Sequence, residues 1–115
     1  MKQNVKISML NQIYGGLLTK KQNEIIEDYY NNDLSLSEIA ENNEITRQAI
    51  RDVLKKSEKK LFEYEETLSI MEKNIEQEKK IEKIIKQLEE IQKNSQNKEI
   101  SKQLSNIQKE LKKLI

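Results

Sequence analysis

Apolar residues mark the chain into helices. Ile7, Leu10, Ile13, Tyr14, Leu17 and Leu18 recur at steps of three and four, the period of a helix with one buried face. This predicts a helix over 5–18 in which Gly15-Gly16 weakens the last turn and ends or bends it. Thr19 opens "TKKQ", a capping box: the Thr19 oxygen accepts a free amide while Gln22 reaches back. A second helix over 20–30 follows, with Ile25, Ile26, Tyr29 and Tyr30 as its apolar face. "NND" at 31–33 is a turn signal. Ser35 then opens a second capping box, "SLSE", closed by Glu38. The third helix is short, 36–42, with Leu36, Ile39 and Ala40 inward. After the break "NNE", Thr46 caps a fourth helix predicted to reach about residue 64, along which Ala49, Ile50, Val53, Leu54, Ser57, Leu61 and Tyr64 keep helical spacing.

Beyond Glu65 the pattern becomes that of a bundle or coiled-coil seam. Leu68, Met71 and Ile75 are followed by Ile81, Ile84, Ile85, Leu88 and Ile91 at steps of three and four. "KNSQNKE" at 93–99 holds no apolar residue, after which Ile100, Leu104, Ile107, Leu111 and Leu114 resume. The phase is not continuous: extending Leu88 and Ile91 by sevens lands on Ser95, Lys98, Lys102 and Ser105. A turn near 93–99 between antiparallel helices is the expectation, and a kinked single helix the alternative. The predicted fold is all-α: a four-helix N-terminal unit (1–66) containing a helix-turn-helix, then a C-terminal helical hairpin or coiled-coil-like extension (67–115).

The helix-turn-helix rests on particular residues. Ala40 is small enough for close helix crossing, Ile45 is expected to anchor the turn, and Ile50 and Val53 face the core. Arg47, Gln48, Arg51, Asp52 and Lys55 point outward. Such a turn needs one residue in the left-handed conformation, normally Gly or Asn. Glu44 stands there; a one-residue shift would give that role to Asn43.

Composition narrows the function. The chain is 36% charged, with no Pro, Cys, His or Trp and only two Gly. That excludes disulfides and thiolate metal sites, and leaves the serines and threonines without a histidine base. No phosphate-binding glycine loop is present. An enzyme is not expected, nor a metal or cofactor. No window approaches the ~20 apolar residues of a membrane span, and the N-terminus lacks a signal-peptide run, so a cytoplasmic protein without membrane insertion is expected. The net charge is +1, but it is unevenly placed. Arg47, Arg51, Lys55, Lys56, Lys59 and Lys60 face only Asp52 and Glu58 across that stretch. Candidate nucleic-acid contacts are therefore Thr46, Arg47, Gln48, Arg51, Lys55, Lys56 and Lys59, since Arg and Gln at the start of a recognition helix reach base edges. With about four usable cations per chain, tight binding to phosphates requires a dimer. The stripe Ile100, Leu104, Ile107, Leu111 and Leu114 is the candidate dimer or partner interface; in a monomer it folds back on Ile81, Ile84, Leu88 and Ile91. Adjacent Tyr29 and Tyr30 allow base stacking, but core packing is the expectation.

The blocks "LLTKKQ", Tyr29-Tyr30, "DLSLSEIAE", "TRQAI" and "KKSEKKLFEYEE", with their spacing over 17–68, resemble the YlxM family of small bacterial helix-turn-helix proteins. More distantly, they are similar to region 4 of sigma factors. The YlxM resemblance implies a dimeric regulator of the signal recognition particle pathway, with the targeting GTPase, its receptor or its RNA as partner. A DNA-binding transcription regulator, using the helix that starts at Thr46 for recognition, is the alternative. A third reading is a structural interaction module acting through the C-terminal hairpin.

Overall fold

The computed structural model describes residues 1–115 and contains six α-helices: α1 (Gln3–Tyr14), α2 (Lys20–Tyr30), α3 (Leu36–Asn43), α4 (Arg47–Leu68), α5 (Ile70–Asn94) and α6 (Lys98–Lys112). The chain separates into two compact units, Met1–Met71 and Glu72–Ile115. None of the helices is long and apolar enough to cross a membrane.

In the first unit the caps form as their side chains dictate. Thr19 accepts from the Gln22 amide at 3.2 Å while Gln22 accepts from the Thr19 amide at 3.1 Å. Ser35 and Glu38 repeat the exchange at 3.1 Å in both directions. α1 stops at Tyr14 rather than continuing to Leu18, because the chain tightens into a 3-10 turn over Gly15–Leu17. That turn leaves Leu17 exposed while Leu18 turns inward. A side chain at Gly15 would stand 2.4 Å from Asn23 Nδ2 and 2.7 Å from Asn11 Oδ1. Gly15 thus makes room for a polar network: Asn23 donates to Asn11, Asn11 to Glu27, and Asn31 also to Glu27. These bonds satisfy Asn11, which is buried amid the core.

The core is aliphatic. Ile7, Leu10, Ile25, Ile26, Ile39, Ile50 and Leu61 are essentially fully buried, and α4 packs against α1, α2 and α3. Ser57 is also fully buried, and its hydroxyl is satisfied by the Val53 carbonyl at 2.7 Å. α4 runs past the predicted end at residue 64 to Leu68 and stops where Ser69 takes a left-handed conformation (φ 53°). The next helix begins at once, and its first amides are met from a distance. Tyr14 Oη accepts from the Ile70 amide at 3.1 Å and donates to Glu65 at 2.6 Å; Glu65 accepts from the Met71 amide at 2.9 Å. A carboxylate suits the positive end of a helix, so Glu65 has a structural use there. Burial, then the bond to Glu65, raises the Tyr14 phenol above its ordinary pKa.

In the second unit α5 and α6 pair antiparallel. Gln92 donates to the Ser101 carbonyl and the Ser105 hydroxyl, and Gln108 donates to Gln92. Ile81 and Ile85 are buried; Leu88, Leu104 and Leu111 are half-buried. Residues 95–97 leave the helix without Gly or Pro because Asn97 caps α6, accepting from the Glu99 and Ile100 amides at 2.9 and 3.3 Å.

Candidate nucleic-acid interface

The turn between α3 and α4 uses Glu44, not Asn43, in the left-handed role (φ 57°, ψ 38°). The Ile45 amide reaches back to the Ala40 carbonyl at 3.1 Å and the Glu44 amide to the Glu41 carbonyl at 3.2 Å, the paired bonds of a Schellman motif. Asn43 stays helical and its side chain donates to the Ile39 carbonyl at 2.7 Å. Ile45 does not anchor the crossing as expected: it is 38% exposed. The two backbone bonds and the buried Ile39, Ala40 and Ile50 hold the corner instead. A non-glycine residue in this conformation costs about 1–2 kcal/mol. Glu44→Gly is therefore expected to raise the thermal midpoint of the first unit, by about 4–8 °C for each kcal/mol regained, as read by calorimetry.

Thr46 starts α4, its Oγ1 accepting from the Ala49 amide at 3.0 Å. Arg47, Gln48, Arg51, Lys55, Lys56 and Lys59 all follow on the exposed surface, as does Thr46 itself. They do not share one direction. At about 100° per residue, Arg47, Gln48, Arg51 and Lys55 fall within an arc of about 100°, roughly a quadrant of the helix, whereas Lys56 lies about 140° round from Arg51. Lys59 sits one turn beyond Lys55 and pairs with Glu63 at 4.0 Å. Asp52 is held by Gln48 Nε2 at 3.0 Å. The structure thus gathers four of the seven sequence candidates around the N-terminal turns of α4, with Thr46 as their cap.

Beside this quadrant lies a groove of about 360 Å³ between α2, α3 and α4. One wall is Tyr29, Tyr30 and Leu36; the other is Gln48, Arg51, Leu54, Lys55 and Glu58. The tyrosines are not core residues as expected. Tyr29 is 37% exposed and meets Tyr30 edge-to-face, centroids 5.0 Å apart at 88°. Tyr30 Oη donates to Glu58; burial, then that bond, pushes the phenol well above its ordinary pKa. Sequence reasoning gave Leu36 and Glu58 no part in a site. The available signal was an aromatic pair at a helix end followed directly by the polar turn "NND".

The candidate interface on the hairpin is also divided. Leu104 and Leu111 are half-buried beside Gln108, while Ile100, Ile107 and Leu114 are 44%, 47% and 63% exposed. Ile84 and Ile91 are 43% and 54% exposed on α5. Both sets step by seven, which returns a helix to within about 20° of one direction. Both are displaced in the same rotational sense from their buried rows, Ile81 and Ile85 on α5 and Leu104 and Gln108 on α6. In an antiparallel pair that puts all five on one face.

Comparison with known sequences agrees with this architecture. A family described as "Putative helix-turn-helix protein, YlxM / p13 like" matches residues 1–114. The chain is 44% identical over 90 residues to a UPF0122 protein of Clostridium botulinum, covering 78% of this chain and 83% of that one. It is 46% identical over 89 residues to one from Desulforamulus reducens, covering 77% and 76%. With one from a Thermoanaerobacter species it shares 41% over 108 residues, covering 94% and 92%. With its capped α3–α4 corner and a match over nearly its whole length, the chain belongs to the UPF0122 family of YlxM / p13-like helix-turn-helix proteins.

Proposed function

We propose that this protein is a non-enzymatic regulator of the signal recognition particle pathway that binds the particle RNA through the exposed cationic quadrant of α4. The observation that carries the proposal is Arg47, Gln48, Arg51 and Lys55 together on the surface beside the capped start of that helix. None of the three cations is spent in an ion pair, whereas Lys59 is. The targeting pathway follows from the resemblance across 17–68. A cytoplasmic location goes with it.

A homodimer completes the proposal. Three or four cations per chain fall short of the ~6–10 phosphates that strong binders neutralise, and two copies reach that range. The heptad-spaced face of Ile84, Ile91, Ile100, Ile107 and Leu114 is a surface that a second copy would cover. DNA is the second reading, favoured by the Schellman corner and by Arg47, Gln48 and Arg51 at the start of a helix able to enter a major groove.

The test is direct. Purified protein is titrated with the particle RNA and with duplex DNA, and GTP hydrolysis by the particle GTPase and its receptor is followed with and without it. RNA binding that weakens with salt, together with altered hydrolysis, is expected. Salt-dependent binding to DNA alone would favour the second reading. Unchanged hydrolysis with no RNA bound would end the first.

A further inference from the structure

We propose that the groove between α2 and α4 receives one unpaired nucleobase of a single-stranded or bulged RNA, with Tyr29 as its stacking platform. This rests on α4 being the nucleic-acid surface and adds what kind of nucleic acid it selects.

The groove matches the chemistry of a nucleotide. Tyr29 presents a partly exposed ring held by edge-to-face contact with Tyr30, and Tyr30 is itself tied through its hydroxyl to Glu58. The platform is therefore fixed before any ligand arrives, which spares the ordering cost of binding. Leu54 adds apolar floor. Arg51 and Lys55 line the same groove and are the cations already assigned to phosphate. A flat ring with an anion one sugar away fits that combination of aromatic platform and flanking charge. A volume of about 360 Å³ lies at the small end of ligand sites, suited to one base rather than a folded element. A base paired and stacked inside a duplex cannot enter such a groove, so selection for unpaired RNA follows from shape.

Glu58 adds a preference. Its carboxylate, already accepting from Tyr30, can also accept from an exocyclic amino group. Adenine, cytosine and guanine carry one; uracil does not. Adenine should therefore be preferred to uracil at this position.

The experiment measures fluorescence anisotropy of a labelled short oligoadenylate, a matching oligouridylate and an RNA duplex against the full chain. Wild type should bind oligoadenylate more tightly than oligouridylate. Tyr29→Ala should lower oligoadenylate affinity about tenfold and leave duplex affinity within about twofold, as expected for loss of one stacked base. Tyr29→Phe, which keeps the ring, should bind oligoadenylate as wild type does. Arg51→Ala should weaken single strand and duplex alike. If Arg51→Ala weakens both but Tyr29→Ala changes neither, α4 remains the nucleic-acid surface and the base pocket is refuted. Equal loss on single strand and duplex in Tyr29→Ala also refutes it. If wild type binds none of the three RNAs, both proposals fall.

Discussion

Arg51→Glu is expected to weaken RNA binding by one to two orders of magnitude while leaving the fold intact. Arg51 is exposed, lies in the middle of the cationic quadrant and lines the groove beside Tyr29 and Tyr30. Loss of one well-placed arginine contact costs about 1–3 kcal/mol, or about 5- to 150-fold at 1.4 kcal/mol per decade. Reversal belongs near the upper end, because the new carboxylate repels the phosphate. The salt dependence should fall as well, by about 0.7 in log–log slope for each single-strand phosphate no longer neutralised. Stability should hold, because Arg51 is exposed and takes part in no ion pair. Lys56→Glu supplies the contrast. Net charge changes equally, but Lys56 points about 140° away from Arg51, so its effect should be several-fold smaller. Equal effects from the two would mean that net charge, not the quadrant, governs binding.

The second large effect is expected on the hairpin. Ile107→Glu should convert a dimer into a monomer at micromolar concentration, as read by light scattering or sedimentation. Ile107 sits mid-way along α6 between Ile100 and Leu114 on the exposed apolar face and is 47% exposed. Burying such a side chain fully is worth about 1.5–3 kcal/mol, and roughly half remains to be gained. In a two-fold dimer each substitution acts twice, and the buried carboxylate adds its own penalty. Loss of at least about a hundredfold in dimer affinity follows at 1.4 kcal/mol per decade. Helicity should survive, because Ile107 is not an interior residue of the hairpin. Ile81→Glu should behave differently: Ile81 is 7% exposed, and a charge there should loosen the α5–α6 pair itself. A wild-type chain that scatters as a monomer at these concentrations would remove the dimer from the proposal.

Three of the four helix starts in the first unit were legible in the sequence because their chemistry is local; α1, which begins at Gln3 without a side-chain cap, was not. Thr19 with Gln22, Ser35 with Glu38, and Thr46 each satisfy free amides within three residues, and all form. Helix ends were harder. α4 overruns its expected end to stop at Ser69, and the helix that follows starts against Tyr14, 51 residues from Glu65, a partner no local pattern reveals. Spacing pointed to Glu44 for the left-handed position and residue preference to Asn43; Glu44 takes it. The backbone bonds from Ile45 and Glu44 outweigh that preference.

The site was legible in part. Position in sequence identified the exposed cations, and only geometry separated Lys56 from Arg51. Tyr29 and Tyr30 were misplaced because adjacency on a helix shows that two residues straddle the edge of a face, not which side of the edge is covered. Gln92 and Gln108 were invisible as partners in the hairpin because a hydrophobic pattern marks polar residues as outward. Here they satisfy each other within it.

The RNA surface proposed for α4 consists of Arg47, Gln48, Arg51 and Lys55. The most direct measurement is the affinity of wild type and Arg51→Glu for the particle RNA across a salt series. Salt-dependent binding by wild type is expected, together with a large loss and a shallower slope in Arg51→Glu. Indistinguishable affinities and slopes for the two proteins would contradict that assignment.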